Sequence, residues 1–199
     1  MEIKSSVFIK SSIETKDCPS EKFSEFAFIG RSNVGKSSLI NMLTQNKKLA
    51  KISGTPGKTL LINHFLINKN WFLVDLPGYG YAKTSKKEKR KIENIIVDYF
   101  INRNPITLTF VLIDIRLDPQ RIDIEFMNWL FKNNILFKII FTKTDKLRKT
   151  EKEEKPSNYI NKIKNIIKTS PEYIVSSSKD KAGRKEILQK IQDFNSEVI

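Results

Sequence analysis

The segment from Gly30 to Ser37 constrains the fold of this chain more than any other segment does. It reads Gly-Arg-Ser-Asn-Val-Gly-Lys-Ser, follows an apolar run at residues 26–29 and precedes an amphipathic stretch. Glycines at this spacing let successive backbone N–H groups converge on phosphate oxygens, and the N-terminus of a following helix adds positive potential. The pattern predicts a phosphate loop in which Lys36 reaches the β- and γ-phosphates and Ser37 binds Mg²⁺. The residues predicted to bind there are Gly30, Arg31, Ser32, Asn33, Val34, Gly35, Lys36, Ser37 and Ser38.

The remaining sequence alternates short apolar runs with longer amphipathic segments. This alternation predicts an α/β fold, a mostly parallel, doubly wound sheet of about six strands with helices on both faces. Predicted strands cover residues 26–29, 60–67, 71–74, 108–113, 135–141 and 173–176. Predicted helices cover residues 36–45, 85–102, 121–132, 157–168 and 184–194, and the second and third strands form a hairpin. At 199 residues we expect one domain, 1–199, with its core at about 23–195 and a short N-terminal extension.

Ligands of such sheets bind beyond the carboxyl ends of the strands, and a second candidate loop follows the predicted strand at residues 71–74. This Asp75 loop reads Asp75-Leu76-Pro77-Gly78. A carboxylate there can hold Mg²⁺ through a water molecule, and the Gly78 N–H can face a γ-phosphate. Alone the segment is an ordinary turn, but its distance from the phosphate loop favours a site.

Two further loops follow the last two predicted strands. The base loop reads Thr142-Lys143-Thr144-Asp145, and its carboxylate can accept two hydrogen bonds from the N1–H and N2–H₂ edge of guanine. Adenine lacks this donor pair, so the same carboxylate disfavours ATP. The serine loop reads Ser176-Ser177-Ser178, and its N–H groups and hydroxyls can meet the guanine O6. Both segments are weak signals in isolation.

Charge and composition exclude several other classes of protein. One cysteine and one histidine, Cys18 and His64, make neither a disulfide framework nor a closed zinc site. No apolar run approaches the roughly 18 residues of a membrane span, so we expect a cytoplasmic protein without stable membrane association. The formal net charge of +14 favours a polyanionic partner, nucleic acid ahead of an acidic membrane, although a solvated lysine-rich surface gives the same sum.

The sequence resembles the EngB-type (YihA/YsxC) GTP-binding proteins, a branch of the TrmE-Era-EngA-EngB-Septin-like P-loop GTPases. Residues 53–59 resemble the family's T-P-G-[RK]-T switch I segment, and residues 75–82 resemble its D-[LV]-P-G-Y-G-[YF]-A switch II segment. The base loop has the family's T-K-x-D form, and Asp114-Ile115-Arg116 also matches. The resemblance covers nearly the whole chain, and the switch II segment is its most specific part.

The resemblance implies a Ras-like G domain that binds GTP or GDP with Mg²⁺ and hydrolyses GTP slowly. It further implies a role in assembly of the large ribosomal subunit and a requirement for normal septation. The alternatives are a signalling G protein at the division site without ribosome contact, and a P-loop ATPase or nucleotide kinase. No insertion is long enough to form a kinase lid and acceptor pocket.

Individual roles carry over from the resemblance. Thr59 is the switch I threonine that meets Mg²⁺ in the GTP state, with Thr55 as the competing candidate. Together with Lys36 and Gly78, Thr59 forms the predicted catalytic set. The flanking residues expected at the nucleotide are Gly57, Lys58, Leu60 and Leu61. The family usually has Phe-Ser-Ser in the serine loop, and the substitution at Ser176 leaves open which serine contacts guanine.

Two positions near the phosphates have open roles. Tyr79 stands where Ras-like enzymes place the glutamine that orients water, and it either packs or takes part in another way. Asn33 occupies the position at which potassium-activated relatives hold the monovalent cation. Its alternative role is a backbone cap of the loop.

A basic cluster begins the helix that follows residue 84. Its members are Lys83, Lys86, Lys87, Lys89, Arg90 and Lys91. Cations at a helix N-terminus oppose the macrodipole, and a phosphate-backbone partner such as ribosomal RNA would offset that cost. A merely solvated face is the alternative. Asp114 and Arg116 are either a strand-end ion pair or part of the partner surface, and residues 146–155 are read as a loop and helix start. The chain is expected to be a monomer.

Overall fold

A computed structural model describes residues 1–20, 22–50, 61–80 and 85–196. In these ranges the chain forms seven strands and five α-helices. The strands are β1 Ser6–Ser12, β2 Glu25–Gly30, β3 Ile62–Ile67, β4 Trp71–Asp75, β5 Ile106–Asp114, β6 Phe137–Thr142 and β7 Tyr173–Val175. The helices are α1 Lys36–Thr44, α2 Lys86–Asn102, α3 Arg121–Lys132, α4 Lys149–Ile167 and α5 Arg184–Ser196. Across these ranges no helix is both long and apolar enough to cross a membrane.

The strands form one mixed sheet in the order β1-β3-β4-β2-β5-β6-β7. Strands β4, β2, β5, β6 and β7 are parallel, whereas β3 is antiparallel to both β1 and β4. This arrangement confirms the predicted α/β fold and its mostly parallel sheet, and it contains the predicted β3–β4 hairpin. Parallel pairing aligns the carboxyl ends of β2, β4, β5, β6 and β7 along one edge, where the site loops begin.

Helices cover both faces of the sheet, and β5 shows why. Val111 and Ile113 point to one face and pack with residues of α2, α3 and α4. Phe110 and Leu112 point to the other face and pack with residues of α1 and α5. All four side chains are almost fully buried, as expected for a central strand that is covered on both sides.

The seventh strand, β1, was not predicted, because its residues lie in the segment read as an N-terminal extension. Val7, Phe8 and Ile9 are consecutive apolar residues, each about half exposed, so they lack the alternation typical of a half-buried strand. Pairing with β3 in an antiparallel register holds the strand at the edge of the sheet. The predicted count of about six strands is therefore too low by this edge strand.

The start of α4 was also predicted wrongly. The helix begins at Lys149 rather than near residue 157, and Pro156 lies inside it. Proline disfavours a helix interior because it lacks an N–H and crowds the preceding turn. Here Pro156 is buried, and the Glu151 carboxylate accepts a hydrogen bond from the Arg148 N–H at 3.0 Å. Packing and this N-terminal hydrogen bond outweigh the local preference. The other element boundaries agree with the prediction to within a residue or two.

Candidate nucleotide-binding site

Four predicted loops leave the same edge of the sheet. The phosphate loop follows β2, and the Asp75 loop begins with the last residue of β4. The base loop follows β6 and the serine loop follows β7. Strands β2 and β4 are neighbours, and so are β6 and β7, so the loops form two adjacent pairs.

The phosphate loop ends at Gly35, which caps the N-terminus of α1. Gly35 has φ +108°, a left-handed conformation that favours glycine. Its carbonyl accepts the first hydrogen bond of the helix, from Leu39 N–H at 2.9 Å. The N–H groups of the first turn therefore have no partner within the helix and are available to an anion.

The Lys36 ammonium pairs directly with the Asp75 carboxylate. The two side chains are only 10% and 5% exposed, so the pair is well shielded from solvent. This contact joins the phosphate loop to the Asp75 loop. It places a cation and a carboxylate at the point where the sequence predicts a triphosphate and a metal ion.

The Asp75 loop also lies on the phosphate loop through its backbone. Tyr79 N–H donates to the Gly30 carbonyl and Ser32 N–H donates to the Tyr79 carbonyl, each at 3.3 Å. A Cβ on Gly78 would lie 3.0 Å from the Gly30 oxygen and 3.2 Å from the Ser32 nitrogen. A side chain at position 78 would therefore have to push the two loops apart by a few tenths of an ångström.

The base loop contacts the phosphate loop from the other side. The Thr142 hydroxyl donates to the Val34 carbonyl at 2.7 Å. The Lys143 ammonium donates to the Asn33 carbonyl at 2.7 Å and lies 2.9 Å from the Asp114 carboxylate. The Lys143 side chain therefore spans from the end of β6 to the phosphate loop. Its ammonium group contacts the Asn33 carbonyl and the Asp114 carboxylate together.

Asp114 anchors this lysine and also pairs with Arg116. Arg116 Nε and Nη2 lie 2.9 and 2.7 Å from the two carboxylate oxygens. Burial alone would raise the pKa of Asp114, but the hydrogen bonds from Arg116 and Lys143 outweigh it and lower the pKa to about 2. Of the two roles left open by the sequence, the structure shows the ion pair.

Direct hydrogen bonds join the base loop to the serine loop. The Ser177 hydroxyl donates to Asp145 at 3.0 Å, and the Thr144 hydroxyl donates to the Ser176 carbonyl at 3.1 Å. The Ser176 N–H donates to Phe141 and the Ser177 N–H to Ala182. Within the described part of the chain, the N–H of the next residue, Ser178, has no backbone partner.

The Tyr79 side chain packs against α3. Its ring is 6% exposed and packs on Phe126 with centroids 4.7 Å apart. Its hydroxyl donates to Asp123 at 3.0 Å, and Arg31 Nε contacts both oxygens of the same carboxylate at 3.1 Å. Sequence reasoning missed Asp123, since it lies 92 residues from Arg31 and belongs to no local motif.

Some predicted site residues lie outside the described residues. They are Thr55, Gly57, Lys58, Thr59 and Leu60 of the switch I segment, and Tyr81, Ala82 and Lys83 after the Asp75 loop. Leu61 is described and is half-buried immediately before β3. The choice between Thr59 and Thr55 therefore remains a prediction.

Comparison with known proteins identifies the class to which this fold and these loops belong. A family model described as "50S ribosome-binding GTPase" matches residues 25–143. Together with the seven-stranded sheet, this match defines a Ras-like P-loop GTPase, a class of enzymes that hydrolyse GTP. More narrowly, the chain belongs to the EngB family of GTP-binding proteins, as the following relatives show.

The relatives match over essentially their whole length. The probable GTP-binding protein EngB of Bacteroides thetaiotaomicron is 54% identical over 198 residues, which cover 100% of this chain and 98% of the relative. The protein of the same name from Flavobacterium johnsoniae is 52% identical over 199 residues and is covered to 95%. These matches confirm the resemblance inferred from the motifs.

Solved structures agree with the fold. A crystal structure of a probable GTP-binding protein EngB superposes with a TM-score of 0.70 at 26% identity, covering 87% of this chain and 100% of the other. Era in complex with MgGDPNP and a fragment of 16S ribosomal RNA superposes with a TM-score of 0.68 at 21% identity, over 87% of this chain and 57% of Era. The likeness to Era supports the fold alone.

Proposed function

We propose that this protein is a GTP-dependent switch that hydrolyses GTP slowly and acts in assembly of the large ribosomal subunit. The observation that carries the proposal is the pairing of Asp145 with Ser177 beside the phosphate loop, because it supports a guanine site next to a phosphate site. The family description, "50S ribosome-binding GTPase", supports the ribosomal part. A requirement for normal septation, a cytoplasmic location and a monomeric state belong to the same proposal.

In this proposal Asp145 accepts hydrogen bonds from the guanine N1–H and N2–H₂ groups. The Ser177 hydroxyl orients the carboxylate, the Ser178 N–H meets O6, and the Lys143 stem lies along the base. The test is a comparison of GTP and ATP binding by the purified chain. Equal affinities would reject the guanine site and favour the ATPase or kinase alternative.

The donor set fits Mg²⁺. The Ser37 hydroxyl in the first turn of α1 and the Asp75 carboxylate at the end of β4 are hard oxygen donors, the kind that Mg²⁺ prefers. Ser37 and Thr59 would hold the ion directly and Asp75 through water. When bound, the ion would neutralise charge on the phosphates. Ser37→Ala should weaken GTP binding and its Mg²⁺ dependence, whereas Thr59→Ala should spare GDP binding.

Hydrolysis by the chain alone should be slow. Lys36 is placed to stabilise phosphate charge and the Gly78 N–H to meet the γ-phosphate. The Tyr79 hydroxyl is engaged by Asp123 and therefore does not orient the attacking water. In Ras-like enzymes a glutamine at this position orients the water. Because this chain has Tyr79 there instead, a partner could supply the missing activation. Single-turnover hydrolysis with and without large ribosomal subunits tests this expectation.

Asn33 remains a candidate for a K⁺ site. It is exposed and has φ +63°, a left-handed conformation in which asparagine is favoured, and its carbonyl accepts from Lys143. The backbone conformation alone accounts for an asparagine here, so K⁺ needs a direct test. GTP turnover in K⁺ and in Na⁺ at equal ionic strength, with and without Asn33→Ala, provides it. Stimulation by K⁺ that is lost in the variant supports the cation, and equal rates in both salts reject it.

The ribosomal partner would bind the basic surface, defined as Lys86, Lys87, Lys89, Arg90 and Lys91 of α2. All but Lys89 are exposed. Lys87, Arg90 and Lys91 line a groove between α2 and the short 3₁₀ helix Thr15–Asp17, whereas Lys89 faces the groove between α2 and α3. Pelleting with isolated large subunits in GDP and in a non-hydrolysable GTP analogue tests the proposal. Stronger pelleting with the analogue supports a switch, and no pelleting in either state supports a signalling role without ribosome contact.

A further inference from the structure

Two side chains from distant parts of the chain meet at one buried carboxylate. We call the three residues the Asp123 cluster: Arg31 of the phosphate loop, Tyr79 after the Asp75 loop, and Asp123 in the first turn of α3. Asp123 is 1% exposed and accepts hydrogen bonds from the Tyr79 hydroxyl at 3.0 Å and from Arg31 Nε at 3.1 Å. Burial raises the pKa of Asp123, while Arg31 and the Tyr79 hydroxyl act against that rise.

The cluster reinforces the backbone contact between two loops that face the predicted phosphates. Tyr79 N–H and Ser32 N–H each donate across the loops at 3.3 Å, which is long for a backbone hydrogen bond. The side chains on either side of this contact, Arg31 and Tyr79, both reach Asp123. A third element, α3, thereby adds a side-chain anchor to two loops that are otherwise joined by the Lys36–Asp75 pair and by two long backbone hydrogen bonds.

Gly78 is the residue whose position depends on this arrangement. It precedes Tyr79 and lies against the phosphate loop. A Cβ on Gly78 would lie 3.0 Å from the Gly30 carbonyl oxygen. Burial and the charge of Asp123 raise the pKa of Tyr79 well above its ordinary value, so its hydroxyl stays a proton donor across the working range of pH. The hydroxyl can therefore donate to Asp123 wherever that carboxylate is ionised.

We propose that Asp123 is a positioning residue that holds the Asp75 loop on the phosphate loop, so that the Gly78 N–H faces the γ-phosphate of bound GTP. The inference rests on the proposed GTP site. Because this N–H meets only the γ-phosphate, loss of the cluster affects triphosphate binding and turnover more than GDP binding. A purely structural role would weaken both nucleotides equally and lower thermal stability in proportion.

The experiment compares Tyr79→Phe, Asp123→Asn and Asp123→Ala with the wild-type chain. Affinities for GDP and for the β,γ-imido analogue of GTP, single-turnover hydrolysis and the melting temperature are measured for each. Asp123→Ala should weaken analogue binding and slow hydrolysis by about tenfold while GDP affinity changes by less than about twofold, since the Tyr79 hydroxyl beside Gly78 and Arg31 both lose their charged acceptor. The losses for Asp123→Asn should lie between those of the wild type and those of Asp123→Ala, because an amide oxygen still accepts one hydrogen bond.

The matched control is Glu125→Gln on the same helix, an exposed carboxylate that pairs with Arg121. It should leave all four measurements unchanged. Combining Tyr79→Phe with Asp123→Ala should be no worse than Asp123→Ala alone, because both remove the same contact. If Asp123→Ala does not fold, the test rests on Tyr79→Phe, which keeps the Arg31–Asp123 pair. A loss of analogue binding larger than the loss of GDP binding in this variant supports the positioning role.

Equal losses for GDP and the analogue, or no loss of either, overturn the positioning role. That result leaves the proposed function standing if the wild type still prefers GTP to ATP. If the wild type shows no such preference, the proposed function itself fails. The two failures are therefore distinguishable when the GTP and ATP affinities of the wild type are measured beside the variants.

Discussion

At the scale of single residues, three carboxylates at the site edge have different environments and therefore different roles. Asp145 is largely buried yet keeps an oxygen beside the base position, with Ser177 as its partner. Asp114 is saturated by Arg116 and Lys143. Among the described residues, Asp75 pairs with Lys36. In the proposed function Asp145 accepts hydrogen bonds from the ligand, whereas Asp114 orients the Lys143 side chain.

Replacement of Asp145 by asparagine should change base preference. An amide accepts one hydrogen bond where the carboxylate accepts two, and its NH₂ suits the C2 carbonyl of xanthine. GTP affinity should fall roughly a hundredfold, from the loss of hydrogen bonds to a charged group, and XTP affinity should rise. Titration with both nucleotides measures the change. Asp118→Asn, an exposed carboxylate that pairs with Lys162, is the control, and unchanged GTP binding by Asp145→Asn would remove Asp145 from the site.

Asp114→Asn should lower stability in a pH-dependent way. The pKa of Asp114 is about 2 in the folded chain, below the ordinary value of about 3.9 expected on unfolding. The unfolded chain therefore binds the proton more readily, so the carboxylate stabilises the fold above pH 4 and loses this contribution as the pH falls toward 2. The variant should be less stable than wild type by about 2 kcal/mol at pH 7, and the gap should narrow steadily below pH 4. Urea unfolding from pH 7 to pH 3 measures the gap, and a pH-independent gap would contradict the prediction.

At the scale of secondary-structure elements, β2 carries different chemistry at its two ends. Its carboxyl end leads into the phosphate loop. Its first residue, Glu25, is fully buried and accepts hydrogen bonds from Tyr99 at 2.7 Å and from Arg103 at 3.1 Å, with His64 of β3 also at 3.1 Å. Burial raises the pKa of Glu25, but the hydrogen bonds from His64, Arg103 and Tyr99 outweigh it and the pKa is lowered. This buried cluster joins α2 and β3 to the first residue of β2.

Glu25→Gln should destabilise the protein without altering its nucleotide preference. The change leaves the buried Arg103 guanidinium without its carboxylate, which costs about 3 kcal/mol. Urea unfolding at pH 7 measures the free energy, and GDP and GTP affinities measure the site. The control is Glu125→Gln, which removes the partner of Arg121 in a pair whose side chains are 59% and 91% exposed, and should cost less than about 1 kcal/mol. Equal costs for the two variants would show that burial does not decide the effect.

At the scale of the whole molecule, the sheet separates two helical faces that differ in their proposed roles. The basic surface lies on α2, on the same face as α3 and α4. Exposed lysines also occur on the face formed by α1 and α5, among them Lys47, Lys48 and Lys185. The net charge of +14 is therefore distributed over the molecule, and a specific contact must be distinguished from general attraction.

Two triple variants that remove the same charge make this distinction. Changing Lys87, Arg90 and Lys91 to glutamine should weaken association with large subunits and reduce its salt slope by roughly one for each lost phosphate contact. Changing Lys47, Lys48 and Lys185 to glutamine lowers the net charge equally and should have little effect. Pelleting across a range of KCl concentrations measures both. Equal weakening by the two variants would assign the association to overall charge.

The sequence by itself determined the α/β class, the order of the loops and the family. These features depend on local patterns: hydrophobic periodicity sets each element, and the phosphate and base loops recognise ligands through residues that lie close together in the chain. The pattern was weakest where local and tertiary preferences conflict, at Pro156 within α4 and at the half-exposed strand β1.

Only the tertiary structure decided which distant side chains share a contact. Asp123 meets Arg31 and Tyr79 because α3 packs over the edge where β2 and β4 end, and Asp114 meets Lys143 because β5 and β6 are neighbours. Such pairs follow from strand order and helix packing, which no short segment encodes. The positions of the candidate loops at the sheet edge were therefore predictable from the chain, whereas the side chains that join those loops required the fold.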